Sequence, residues 1–198
     1  MVYLSYVSNL RQKIAKEFGT ERGLIRYLLA KFEYYIGSIN EFKNTDLSNV
    51  NRVVFVCLGN ICRSAYAHQF ANLCHTNFEI ASLGLSTTTG VSANSIAKKI
   101  ALESGVDMEI HRTTDFNDFT VKPGDLFLAM EIRQAKQLKN KLGSAADHQI
   151  ALLGNWANPK HTHIHDPHTL SEDYFRTCFE IIKDSVNNLI QEINSVKN

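Results

Sequence analysis

Cys57 and Arg63 lie six positions apart in the stretch Cys57-Leu58-Gly59-Asn60-Ile61-Cys62-Arg63-Ser64. A thiolate is a strong nucleophile, and a guanidinium grips two oxygens of a phosphoryl group in a fork that lysine cannot reproduce. The pair points to phosphate chemistry. Between them, Gly59 permits backbone conformations closed to residues with a Cβ, and Asn60 tolerates left-handed geometry better than most. A loop whose N–H groups converge at a helix N-terminus cradles an anion, and the same field favours the thiolate of a cysteine at its mouth. Leu58, Gly59, Asn60, Ile61, Cys62, Arg63 and Ser64 are therefore expected to surround the phosphate that Cys57 attacks. The bland alternative is a buried cysteine and an unrelated arginine.

The flanking elements decide against that alternative. Val53–Val56 is a short, β-branched-rich apolar run of the kind a strand buried on both faces carries. Ser64–Cys74 contains no Gly or Pro and continues as helix. Beyond it the pattern alternates: strand Phe78–Ser82, helix Ser92–Ser104, strand Asp125–Met130, helix Glu131–Leu142, strand Ile150–Leu153, helix Ser171–Ile193. This order predicts an α/β fold, a three-layer doubly wound sheet of four parallel strands. Cys57 then falls at the carboxyl end of the first strand, where open α/β sheets bind ligands. Gly105 is a natural stop for the second helix.

Residues 1–50 fall outside that scheme and predict an N-terminal helical extension to a domain of residues 51–198. Val2–Phe18 and Glu21–Glu41 read as two helices separated by Gly19-Thr20, with Thr20 as cap of the second. Leu24, Ile25, Leu28, Leu29, Phe32, Ile36 and Ile39 recur at helical spacing, a stripe expected to pack on the main domain or to serve a partner or self-association. Seven Lys or Arg against five Asp or Glu in this segment give no anionic-membrane signal.

The whole chain of 198 residues has room for one α/β domain and an appendage. A formal net charge of +1 argues against nucleic acid as partner, and no apolar run is long enough for a membrane span. The N-terminal residues lack a secretion-signal layout, which predicts a cytoplasmic protein with free thiols. Cys74 and Cys178 lie in helical patterns and read as core residues.

Cys-x-Gly-Asn-x-Cys-Arg-Ser after a hydrophobic strand resembles the signature of the low-molecular-weight protein tyrosine phosphatases, with Ala65 where that family usually has proline. Ser82-Leu83-Gly84, Gly105-Val106-Asp107 and His111-Arg112 resemble further family segments, so that the likeness covers roughly residues 51–193. It implies a phosphomonoester hydrolase that works through a phosphocysteine on Cys57, with phosphotyrosyl protein or a small phosphoester as substrate and no cofactor. The family's general acid stands in an Asp-Pro pair late in the chain, which points to Asp166 before Pro167. Ser64 is close enough in sequence to hydrogen-bond the cysteine sulfur. The resemblance further implies that His111 holds Asn60 or Ser64 in place and that Cys62 can form a protective reversible disulfide with Cys57. His168 and Thr169 follow Asp166-Pro167 where members acting on eukaryotic phosphotyrosine carry aromatics, and the Leu85–Thr89 loop offers no Trp or Tyr. In this the chain resembles the bacterial branch.

Three rival readings remain. His161, His163, His165 and His168 have a spacing that can ligate zinc, but no further Cys or carboxylate set completes a site, and a solvated loop without metal is expected. Arsenate reductases of the same fold relay oxidation through two distal cysteines, and Asp115 to Asp166 contains none. A non-enzymatic phosphate-binding module would leave every reacting group unused.

Overall fold

The computed structural model describes residues 2–143 and 148–197. Four strands, β1 (Arg52–Cys57), β2 (Glu79–Gly84), β3 (Asp125–Ala129) and β4 (His148–Leu152), form one parallel sheet in the order β2-β1-β3-β4. Register is set across the centre by Val54 opposite Ala81 on one side and Phe127 on the other. At the amino end of the sheet Arg52 and Asp125 are paired in register and joined by two charge-assisted bonds of 2.7 Å.

The central strands are buried on both faces, as their unbroken apolar composition requires. Val53, Phe55, Leu126 and Leu128 pack into one layer with α3 (Arg63–Asn72), α4 (Ser95–Glu103) and α6 (Glu172–Lys197). Val54, Val56 and Phe127 face the opposite layer with Leu138 of α5 (Ile132–Leu142). The alternation follows the two-residue period of a strand. The chain leaves β1 toward β2 on one side and returns to β3 on the other, so the reversal of winding lies beside the Cys57 end of β1. Cys178 is buried in the first layer and Cys74 packs partly buried against it.

Residues 1–50 depart from expectation in two respects. Helices α1 (Val2–Phe18) and α2 (Glu21–Tyr35) form, with the Thr20 hydroxyl accepting the Gly23 N–H at 2.9 Å, but α2 ends six residues early. Gly37 takes φ +80 and turns the chain into a 3₁₀ turn at Asn40–Phe42. The apolar stripe is also not the docked face: Ile25, Leu28, Leu29, Phe32 and Ile36 remain more than half exposed. Gly23, Tyr27, Ala30 and Tyr34, on another face of the helix, are buried or half-buried instead. Small residues allow the α2 backbone to come close, which a row of large side chains would prevent. Ile39 and Phe42 are fully buried against Ala129, Ile132 and Leu152 and fix the following segment to the sheet.

Candidate active site

The loop from Cys57 to Arg63 is held open by its own asparagine. Asn60 adopts φ 52, and its buried amide donates to Ser64 Oγ at 2.8 Å and Ser82 Oγ at 3.0 Å while its Oδ1 accepts the Thr114 N–H at 3.0 Å. An asparagine bears the left-handed conformation at modest cost, and here a buried network fixes it. The Asn60 N–H points to Cys57 Sγ at 3.2 Å, and Ser64 Oγ lies 3.0 Å from the same sulfur. Two hydrogen-bonding groups thus face the sulfur, an arrangement that stabilises negative charge on it.

His111 serves this loop from the side: its Nε2 donates to the Asn60 carbonyl at 2.8 Å, and no bond to Ser64 is made. Burial lowers its pKa, although the bond to Asn60 works the other way, so the ring is neutral at pH 7. His68, whose pKa burial pushes down to about 4, lies 3.0 Å from Ser82 Oγ through Nδ1 and extends the network.

Helix α3 begins at Arg63, and its first turn leaves N–H groups without intrahelical partners, as every helix N-terminus does. The Arg63 side chain is buried and clamped. Its Nη1 donates to Glu131 Oε1 at 2.6 Å and to the Ile164 carbonyl at 2.9 Å, and its Nη2 lies 2.9 Å from Asp166 Oδ2. Burial works against the charge, but Asp166 and Glu131 more than offset it and raise the guanidinium pKa further. Of the three guanidinium nitrogens, Nε is the one buried without a hydrogen-bond partner among the described residues. A fork held from behind with a free donor suits an oxyanion of matching size.

Sequence reasoning passed over Glu131, which it assigned only as the start of a helix. Burial raises its pKa, yet the ion pair with Arg63 more than compensates and holds it below the usual carboxylate range. Its position just past the carboxyl end of β3, on the ligand-binding edge of the sheet, was the available signal.

The histidines around Asp166 do not form the solvated loop expected. His163 is buried and its pKa falls to about 4, chiefly through desolvation, and burial also lowers His161 and His165. His163 faces His165, with ring nitrogens 3.4 Å apart, whereas His161 packs against Tyr27. The rings are therefore parts of the packing between loop and extension. Only His168 is exposed. Asp166 remains 38% accessible in its side chain and can reach a substrate. Leu58 is partly exposed at the mouth and Ile61 half-buried. Cys62 is buried, which pushes its thiol pKa up. All four cysteines are free.

The family model of the low molecular weight phosphotyrosine protein phosphatases matches residues 52–198, the stretch that holds the sheet and the Cys57–Ser64 loop. The chain belongs to this family. Among curated phosphatases of the family, Wzb of Escherichia coli K12 is 28% identical over 145 residues, covering 73% of this chain and 97% of Wzb. The probable phosphatase AmsI of Erwinia amylovora is 27% identical, and its crystal structure superposes with a TM-score of 0.63 over 72% of this chain and 93% of AmsI. The YwlE arginine phosphatase of Geobacillus stearothermophilus, 23% identical, shares the fold with a TM-score of 0.64 over 73% of this chain and 94% of YwlE. No helix among the described residues is long and apolar enough to cross a membrane.

Proposed function

We propose that the chain is a protein-tyrosine phosphatase that hydrolyses phosphomonoesters through a phosphocysteine on Cys57. The observation that carries this is the meeting of Arg63 with Asp166 at 2.9 Å beside a sulfur that two hydrogen-bonding groups face. A substrate phosphate entering the loop takes over the Nε and Nη2 of Arg63 and the loop amides, and Asp166, displaced from Nη2, takes a proton from solvent and turns to the ester oxygen. The sulfur attacks phosphorus in line, the P–O bond breaks, and Asp166 gives its proton to the departing oxygen. Water then attacks the phosphocysteine and passes a proton to the Asp166 carboxylate, releasing inorganic phosphate and restoring the sulfur nucleophile. Leu58, Gly59 and Ile61 line the phosphate, while Asn60, Ser64 and His111 hold the loop in shape. Cys62 guards the nucleophile by forming a disulfide with it on oxidation.

The cycle uses arginine and amides where other phosphatases use metals, so turnover is expected to persist in EDTA. Residues 51–198 act as the phosphatase domain, residues 1–50 as its extension, and the protein works in the cytoplasm. The apolar residues that α2 leaves exposed suit association with a partner or a second copy, which sedimentation at rising concentration would detect. Cys57→Ser should abolish p-nitrophenyl phosphate turnover while the chain still binds phosphate. Near-normal turnover by that variant would remove the nucleophile assignment. A panel of phosphotyrosyl, phosphoseryl and phosphoarginyl peptides tests the substrate class, with the tyrosyl ester expected to be preferred.

A further inference from the structure

The N-terminal extension touches the candidate acid loop at its most sensitive point. Thr20 Oγ1, already accepting the Gly23 N–H, lies 3.3 Å from His165 Nε2, so its hydroxyl proton is free for that ring nitrogen. His165 immediately precedes Asp166. With Nε2 accepting, His165 carries its proton on Nδ1 and donates it to His163 Nε2 at 3.4 Å. His163 in turn presents Nδ1 to Glu131 Oε2 at 4.0 Å, and Glu131 Oε1 accepts from Arg63. Every ring nitrogen has one role in this sequence of contacts, which runs from the extension to the guanidinium.

The fit at this junction is close. A Cβ on Gly23 would stand 2.9 Å from His165 Cδ2 and 2.0 Å from the Phe18 carbonyl, so the residue there must be glycine if α2 is to lie against the histidine. Tyr27, one turn on, stacks at a tilt on His161 with centroids 5.4 Å apart. From the other side the Tyr174 hydroxyl donates to the His165 carbonyl at 3.3 Å. The His165 backbone, next to Asp166, is therefore held by α6 on one side, while the His165 ring is held by the extension on the other.

We infer that Thr20 is a positioning residue for Asp166, acting through His165, so that the N-terminal extension is a working part of the acid loop. This rests on Asp166 being the general acid. A carboxyl group displaced from the ester oxygen loses its effect mainly where the leaving group is poor, because good leaving groups depart without a proton. The test is kcat/KM of the full-length chain for aryl phosphates across a range of leaving-group pKa. Thr20→Val is expected to lower the value roughly tenfold for phenyl phosphate and less than about twofold for 2,4-dinitrophenyl phosphate. Thr20→Ser is expected to restore the wild-type profile.

Loss of the α2 cap alone would depress both substrates alike, and that result overturns the proposal. His165→Phe leaves the cap intact and is expected to give the same leaving-group profile. In its background Thr20→Val should have no further effect, and a full second effect there also overturns the proposal. His165→Phe keeps the question answerable if Thr20→Val does not fold. Wild-type protein inactive toward every aryl phosphate would remove the phosphatase reading itself, whereas an active wild type with an unchanged Thr20→Val removes only the role of Thr20.

Discussion

Asp166 Oδ2 lies 2.9 Å from Nη2 of Arg63, so the candidate acid is parked on the residue that is to receive the phosphate. One guanidinium cannot give the same hydrogen atoms to both, and a bound phosphate must release the carboxylate toward the ester oxygen. Asp166→Asn is therefore expected to cut kcat/KM roughly 100-fold or more for phenyl phosphate and far less for esters with acidic leaving groups. A steepened dependence on leaving-group pKa is the signature. An unchanged slope would take the acid role from Asp166.

Asn60 combines a left-handed backbone with three buried side-chain bonds. Asn60→Gly loses the bonds and keeps the conformation at no steric cost, whereas Asn60→Ala loses both. The alanine variant is expected to be less stable than the glycine variant by about 1 kcal/mol, and both should lose activity. Equal denaturation midpoints for the two would show that φ at this position carries no strain.

Glu131 and Arg63 form a buried ion pair with 2.6 Å between Oε1 and Nη1. Glu131→Gln keeps an acceptor for the arginine but removes the charge that offsets its desolvation. A loss of about 2 kcal/mol in unfolding free energy is expected, with a several-fold lower kcat as the fork loses its orientation. Urea denaturation and steady-state kinetics on the same samples check both. A variant as stable as the wild type would mean that Asp166 alone suffices for the pair.

Cys62 sits in the loop as a buried free thiol whose pKa burial raises, so it is a protonated thiol at neutral pH. Peroxide converts the Cys57 sulfur to a sulfenic acid, and attack by Cys62 expels water and closes a disulfide. Wild-type activity lost to peroxide should return with dithiothreitol. Cys62→Ser is expected to recover poorly, because its sulfenic acid proceeds to sulfinic acid. Equal recovery would deny Cys62 a protective role.

Burial of His68 and His163 lowers both pKa values to about 4 from an unfolded value of 6.5. Between those pH values the unfolded chain binds protons that the native chain refuses. Stability is therefore full above pH 6.5 and falls as the pH drops toward 4, by at most ~3 kcal/mol per histidine. Urea midpoints measured across this window should decline in the wild type and decline less in His163→Gln. Parallel slopes would show that His163 takes up its proton without unfolding.

The candidate nucleophile, the loop and the helix behind it were legible in the sequence because they are local. Cys57, Gly59, Asn60, Arg63 and Ser64 lie within eight consecutive residues, and a strand, a turn and a helix start leave clear marks in composition and spacing. The alternation of strands and helices dictated a parallel sheet for the same reason. Asp166 was reached through a family resemblance, since an Asp-Pro pair in isolation signals only a turn.

What folding decided is everything that depends on which side chains meet across long separations. Glu131 behind Arg63, the Asn60 carbonyl as the partner of His111, and the burial of His163 with His161 and His165 half-buried beside it are outcomes of packing. The face by which α2 docks belongs with them. Hydrophobic periodicity picked the stripe of large residues, but a helix that must approach a loop closely does so through its small ones, Gly23 and Ala30. Sequence alone determined the candidate reacting groups of this protein; only the tertiary structure determined what holds them, because desolvation and long-range hydrogen bonding exist only once the chain has closed around them.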